Sequence, residues 1–298
     1  AHGLSPEAVG RLERYLDAVR STLLFAKGVL LVEGDAEQVM IPAMLRAVFG
    51  LSPDELGFSV ISMSSAFFEH VAVIFGEDRI QRPCSIITDL DTALLDMPDS
   101  PEDDTQDQAH ARAAEESGRS RQQHLQDFAN TNPWIQPFFA DHTFEVDFSR
   151  AGNSFEVVRT LDDIYHKPAN RQSSKERLES DDPQVAGKEI LRLANKLGKG
   201  WFALLLSASL GPRTYIPDYI LRAVAFACHP SVTESALKRM GEFRVKALGP
   251  NGELARVLPP SAELERLSVT DFLAVYREAA PVDDLSVFSQ YLGEYRRR

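Results

Sequence analysis

Residues 29–45 read VLLVEGDAEQVMIPAML. Four apolar residues run straight into Glu33 and Gly34, and apolar residues then return at helical spacing behind Asp35, Glu37 and Gln38. This is the opening of a β-α unit: a buried strand, a carboxylate at its carboxyl end, then a helix with Asp35 as N-cap, Gln38 at the capping-box position and Gly50 as its stop. A strand whose tip carries a carboxylate is seldom built for packing alone. Its partners must come from other strand tips.

The following segments repeat the unit. GFSVISM predicts a second strand, AFFEHVAVIFGE a second helix, and PCSIITDLD a third strand with apolar residues on both faces. RQQHLQDFANTNPWIQPFFA reads as partly helical, and HTFEVDF as a fourth strand. An alternating β-α-β-α-β order with a late fourth strand makes the chain α/β, with a parallel sheet flanked by helices. Sites on such sheets lie at the carboxyl ends of the strands. From Ser154 to about Pro230 the periodicity is helical, which predicts an additional helical subdomain. EFRVKALGPNGELARVLPP predicts a short hairpin, and two closing helices follow.

Composition sets limits on function. The chain has 298 residues, 44% hydrophobic and 9% aromatic, enough for a normal core. No apolar run approaches the roughly 20 residues of a membrane helix, and the first residues are charged where a secretion signal would be apolar. Cys84 and Cys228 lie far apart in apolar contexts, as reduced core thiols do, so a cytoplasmic setting with no membrane partner is expected. The balance of 44 acidic against 32 basic residues gives net charge −12, which argues against nonspecific coating of nucleic acid but leaves room for an enzyme that holds it locally. Part of the acid excess falls in LLDMPDSPEDDTQDQAHARAAEE, residues 94–116, so residues 94–120 are expected to form an acidic mobile loop.

The acids collect at one place. Glu33 ends the first strand and Glu37 sits in the next helix turn. Asp89 and Asp91 end the third strand, and Glu145 and Asp147 lie in the expected fourth, each pair on one face by strand alternation. Several carboxylates at one sheet edge repel one another unless a cation neutralises them, and Mg²⁺ and Mn²⁺ are the hard, oxygen-seeking ions that suit such a site.

A strand-Glu-Gly followed, one β-α unit later, by strand-Asp-Leu-Asp resembles the Toprim domain, the metal-binding fold of topoisomerases, primases and certain nucleases. More narrowly, the chain resembles the C-terminal nuclease region of the OLD (overcoming lysogenisation defect) family. STLLFAKGVLLVEGDAEQVMIPAML, IITDLDTA, TFEVDF and LGKGWFALLLSASL followed by YIPDYI carry that likeness over roughly residues 20–225. Three parts are expected: a Toprim catalytic domain at 1–150, with a leading helix and the acidic loop, a helical subdomain at 151–231, and, beyond the reach of the resemblance, a C-terminal extension at 232–298 packing on the core. The resemblance implies a DNA substrate and an N-terminal ABC-type ATPase in the full-length protein. No G-x-x-x-x-G-K-[ST] occurs in this sequence, so ATP control is not readable from it.

What the resemblance implies chemically is metal-dependent phosphodiester hydrolysis, as an endonuclease or nickase using two ions. Glu33, Glu37, Asp89, Asp91 and Glu145 are the expected metal ligands. Glu33 and Lys199 are the expected catalytic residues, the lysine as a cation aimed at an oxygen of the transition state. Lys188, Arg192 and Lys196 are candidate phosphate contacts, or else the solvated face of an amphipathic helix.

Other residues point less sharply. His70, His124, His142 and His166 have no metal-ligand spacing, and only His142 stands near a candidate ligand. Ser64 and Ser65 fall at the end of the second strand, where capping is the expected role. Trp201, Phe202 and Leu204–Leu206 read as core, with Trp201 also able to stack on a base. The alternatives are a noncatalytic Toprim scaffold that binds DNA and a primase-like nucleotidyl transferase. The second would want a further basic nucleotide-binding tract. A topoisomerase would need a nucleophilic tyrosine in a DNA-gripping domain, and Tyr215 and Tyr219 have no such setting.

Overall fold

The computed structural model describes residues 25–63, 68–248, 254 and 267–297. The expected leading helix, Ser64 and Ser65 lie outside these residues. Four parallel strands form one sheet: β1 (Gly28–Val32), β2 (Phe58–Ser62), β3 (Cys84–Asp89) and β4 (Ile135–Ala140), in the order β2-β1-β3-β4. The two central strands are buried throughout because both faces are covered. Alternation sorts their side chains between two cores. Leu30, Val32 and Ile87 face the larger one, and Val29, Leu31, Cys84 and Ile86 the smaller.

The described helices follow in chain order. The first four are α1 (Asp35–Phe49), the single turns α2 (Pro53–Leu56) and α3 (Glu69–Ala72), and the long α4 (Gln106–Ala129). Short segments α5 (Phe144–Phe148), α6 (Ser154–Arg159) and α7 (Leu161–Ile164) lead to α8 (Pro168–Leu178), α9 (Pro183–Leu197), α10 (Lys199–Ser207) and α11 (Asp218–Cys228). The C-terminal helices are α12 (Glu234–Ala247), α13 (Val269–Ala279) and α14 (Asp284–Tyr295). Helix α11 lies directly on the sheet: a Cβ on Gly28 would meet the Ala227 carbonyl oxygen at 1.8 Å, and Ser85 Oγ donates to the Ala223 carbonyl at 2.6 Å. The helices after residue 150 and the C-terminal helices share the larger core with α1 and the strands.

Several sequence expectations are corrected. HTFEVDF is not a strand: β4 is the preceding IQPFFA, and Phe144–Phe148 is a helical turn and a half. A five-residue alternation is too short for periodicity to separate the two states. The two-residue spacing therefore sets Glu145 and Asp147 on opposite sides instead of one face. Residues 106–120 are helix, not mobile loop, because Thr105 and Gln108 form a capping box ahead of an alanine- and glutamine-rich run. The second expected helix shrinks to the turn Glu69–Ala72 among the described residues. Asp35 is the first helical residue of α1, not its cap; the cap is Gly34, with no side-chain bond, while Gly50 ends the helix in the left-handed region as expected. Residues 242–247 of the expected hairpin belong to α12, and the Pro-Asn-Gly turn lies outside the described residues.

Both cysteines are buried and free. Among the described residues no helix is long and apolar enough to cross a membrane.

Candidate metal centre

The carboxyl ends of β1 and β3 are adjacent in the sheet, and the residues that follow them open a cavity of about 340 Å³. Glu33, Gly34, Asp35, Ala36, Glu37, Asp89, Phe144, Glu145, Lys199 and Gly200 line it. The structure thus brings together Glu33, Glu37, Asp89, Glu145 and Lys199 from four separate stretches of sequence. Asp35, read as a cap, is a sixth polar lining residue and accepts a hydrogen bond from Ser62 Oγ at 3.2 Å.

Each acid is aimed by its element. Thr88 Oγ1 donates to Glu33 Oε2 at 2.7 Å, tying the tip of β1 to β3. Thr88 was legible only as a strand residue, since its role depends on the register of two strands distant in sequence. Glu37, 4% exposed, folds back over Gly34, where a Cβ would stand 3.3 Å from Glu37 Oε2. Burial raises the Glu37 carboxyl to about 7, its backbone hydrogen bond opposes the shift, and Glu145 and Glu33 add repulsion. Asp89, at the end of β3, is 7% exposed and pushed well above the carboxylate range by burial, with Glu37 and Glu33 next in effect.

Asp91 stands apart. Strand β3 ends at Asp89, and Asp91 takes the left-handed conformation (φ 53°) that aspartate tolerates better than most residues, so the two acids do not share a strand face. Arg121, from α4, donates to the Asp89 carbonyl at 2.6 Å and reaches Asp91 Oδ2 at 3.3 Å. Nothing local in the sequence marks Arg121, which follows the acid-rich residues 94–116 and reaches the aspartates only through the packing of α4. Helix α4 comes this close through Gly118, where a Cβ would meet the Leu90 carbonyl oxygen at 2.2 Å and its carbon at 2.7 Å.

Lys199 arrives through Gly198, whose positive φ of 84° ends α9 and starts α10 in a new direction. Its Nζ lies 3.7 Å from Glu145 Oε2, an ion pair longer than a hydrogen bond, which is why the carboxylate still has no hydrogen-bond donor. Burial pulls the lysine down, but Glu145, Asp89 and Glu37 raise it overall, so it is charged at neutral pH.

Other candidates sit elsewhere. Arg192 is bound to Glu189 and the Tyr165 hydroxyl, and Lys196 lies 3.9 Å over the Tyr165 ring, so both clasp the helical segment. Lys188 is exposed. His142 contacts Arg150 at 2.5 Å and Asp147 at 3.9 Å, and His124 pairs with Glu69 at 2.6 Å. Phe202 and Leu206 are core, but Trp201 and Leu204 are exposed, against expectation.

The donor set suits a hard cation. Asp89 Oδ1 and both oxygens of Glu145 are buried without a hydrogen-bond partner, which costs energy unless something positive balances them. Among the described residues no three His, Cys, Asp or Glu side chains are drawn tightly enough to enclose an ion.

Residues 24–91 match the family described as "Overcoming lysogenization defect protein-like, TOPRIM domain". The C-terminal region of the Burkholderia pseudomallei OLD protein superposes with a TM-score of 0.50 at 24% identity, covering 69% of this chain and 98% of that one. The corresponding region of the Xanthomonas campestris pv. campestris OLD protein gives 0.48 at 22% identity, covering 69% and 96%. The first of these likenesses is one of fold. No curated protein sequence matches the chain. The chain thus carries, at residues 24–91, a Toprim domain of the OLD-like family, a class of domain that binds divalent metal and acts on nucleic acid.

Proposed function

We propose that the chain is a divalent-metal-dependent DNA endonuclease or nickase that hydrolyses phosphodiester bonds, working with an ATPase region of the ABC type. The supporting observation is the set of three buried carboxylate oxygens without donors, on Asp89 and Glu145, facing a cavity shared with Glu33, Glu37 and Lys199.

Glu33, Glu37, Asp89 and Glu145 would hold Mg²⁺ or Mn²⁺. Asp91 would join them by exchanging Arg121 for an ion. Bound there, two such ions would supply Lewis acidity to the attacking and leaving sides of the phosphodiester. The chain's own residues do the rest. Thr88 fixes the orientation of Glu33, and Glu37, Asp89 and Glu145 are buried, which limits the screening of their charge by water. Lys199 places a fixed positive charge on the cavity wall, where it meets negative charge developing on a phosphate oxygen.

Supercoiled plasmid incubated with the protein should be nicked or linearised in Mg²⁺ or Mn²⁺ and left intact in EDTA. Asp89→Ala should abolish cutting while retaining the fold. Cutting at full rate without a divalent ion would remove the mechanism.

A further inference from the structure

Helix α10 carries apolar side chains on two sides. Phe202, Ala203 and Leu206 are buried in the larger core, yet Trp201 is 59% exposed and Leu204, one turn on, 50% exposed. A helix packed on one face ordinarily turns polar residues to solvent, so this ridge wants a cover. Its position says which. Lys199 and Gly200, the two residues before Trp201, line the acid cavity. Side chains on a helix lean toward its N-terminus, so the indole of Trp201, in the first turn, tilts toward the cavity end of α10. That end carries no acidic residue in its first turn, no side-chain cap, and the lysine. An anionic strand with flat, unpaired bases fits both halves: phosphate at Lys199 and the α10 amides, a base face on the indole.

We propose that Trp201, backed by Leu204, is a stacking ledge for an unpaired nucleobase next to the phosphate held in the acid cavity. The proposal rests on the phosphodiester reading of that cavity. It makes the substrate locally single-stranded or frayed at the cut and sequence-tolerant there, because every base offers a π face.

The chain has two tryptophans, Trp134 and Trp201, which allows a direct test. Oligothymidylate should quench the fluorescence of Trp134→Phe in Ca²⁺, a divalent ion that offsets the cavity's carboxylates so that the phosphate can be held. By anisotropy of labelled oligothymidylate, Trp201→Ala should bind roughly 5- to 100-fold more weakly than the parent, the loss of one stacked base. Trp201→Phe should recover most of the affinity. The salt dependence should keep its slope, since no ionic contact is lost. Unchanged affinity in Trp201→Ala overturns the ledge, as does quenching confined to Trp134. Self-association abolished by Trp201→Ala with oligonucleotide affinity intact would give the ridge to a second copy of the chain, which also overturns it. If Trp201→Ala binds and cuts like the parent, the ledge fails while the nuclease reading stands. If the parent neither binds oligonucleotide nor cuts plasmid with Mn²⁺, both fail.

Discussion

Lys199 Nζ stands 3.7 Å from Glu145 Oε2, and it is the one basic side chain among the described residues that line the acid cavity. The separation matters. A lysine locked by short hydrogen bonds would be spent on the resting structure, whereas this one remains half exposed and able to meet a new anion. Lys199→Ala should lower turnover by about 100-fold, the scale of losing one preorganised donor to a transition state. Metal affinity should hold or tighten, because a competing cation has gone. Single-turnover cleavage rates set beside calorimetric Mn²⁺ affinity would test this; an unchanged rate would remove the catalytic role.

Glu37 makes metal binding proton-linked. Burial, helped by Glu145 and Glu33, moves its carboxyl from its ordinary 4.5 to about 7, and Asp89 is also raised. Ligating carboxylates must be ionised, so loading the site near pH 7 should release protons, and Mn²⁺ affinity should climb as pH rises through 7. Calorimetry in two buffers of different ionisation enthalpy reads the proton count. An acid with a folded pKa above its unfolded value stabilises the fold fully at low pH and loses that contribution as pH rises through the folded value. Metal-free protein should therefore lose roughly 3 kcal/mol from this group between about pH 4 and 7. Glu37→Gln should flatten both profiles.

The sheet and most of this cavity were readable because strand tips are local. VLLVEG and SIITDLD each present an acid where a hydrophobic run stops, and a parallel sheet brings such ends together by construction. What sequence missed is what depends on register or on close approach. Thr88 meets Glu33 only once two strands are aligned, and Arg121 reaches the aspartates only because Gly118 lets α4 touch the Leu90 backbone. Glu145 lines the cavity from a helical segment: strand alternation would set it on one face with Asp147, and the helix turns the two apart. Trp201 misled because apolar composition predicts burial on average and says nothing of which side of a short helix is covered.

Away from the site, Asp284 offers an independent pH effect. It opens α14, is 5% exposed, and its Oδ2 accepts the Ile216 N–H at 3.0 Å. Burial raises its carboxyl to about 7, against the pull of that N–H and of Arg244. Its stabilisation is therefore complete below about pH 4 and lost as pH rises through 7, above which the fold carries a buried charge. Asp284→Asn keeps the acceptor without the charge. It should be more stable than the parent by roughly 2–4 kcal/mol at pH 8, with the difference narrowing toward pH 5. Urea titrations at the two pH values would check it, and an equal difference at both would refute the titration.

The approach of α4 to the aspartate motif can be tested at a single atom. A methyl group at Gly118 would sit 2.2 Å from the Leu90 carbonyl oxygen and 2.9 Å from its Cα, so helix or motif must move. Leu90 lies between Asp89 and Asp91, and Arg121, one turn along α4, holds the Asp89 carbonyl. Gly118→Ala should therefore cost roughly 1–3 kcal/mol of stability through overpacking. It should cost more in metal affinity and cleavage than that stability loss explains, because the shift falls on two candidate ligands. Gly293→Ala is the matched control: also a glycine within a helix, it has nothing described beyond its own helical backbone and chain neighbours within 4 Å of where a Cβ would stand, and alanine there should stabilise by up to about 1 kcal/mol through helix propensity. Chemical denaturation, Mn²⁺ calorimetry and plasmid cleavage on the two variants would separate the effects. A Gly118→Ala protein with parental metal affinity would show that α4 does not position the aspartates.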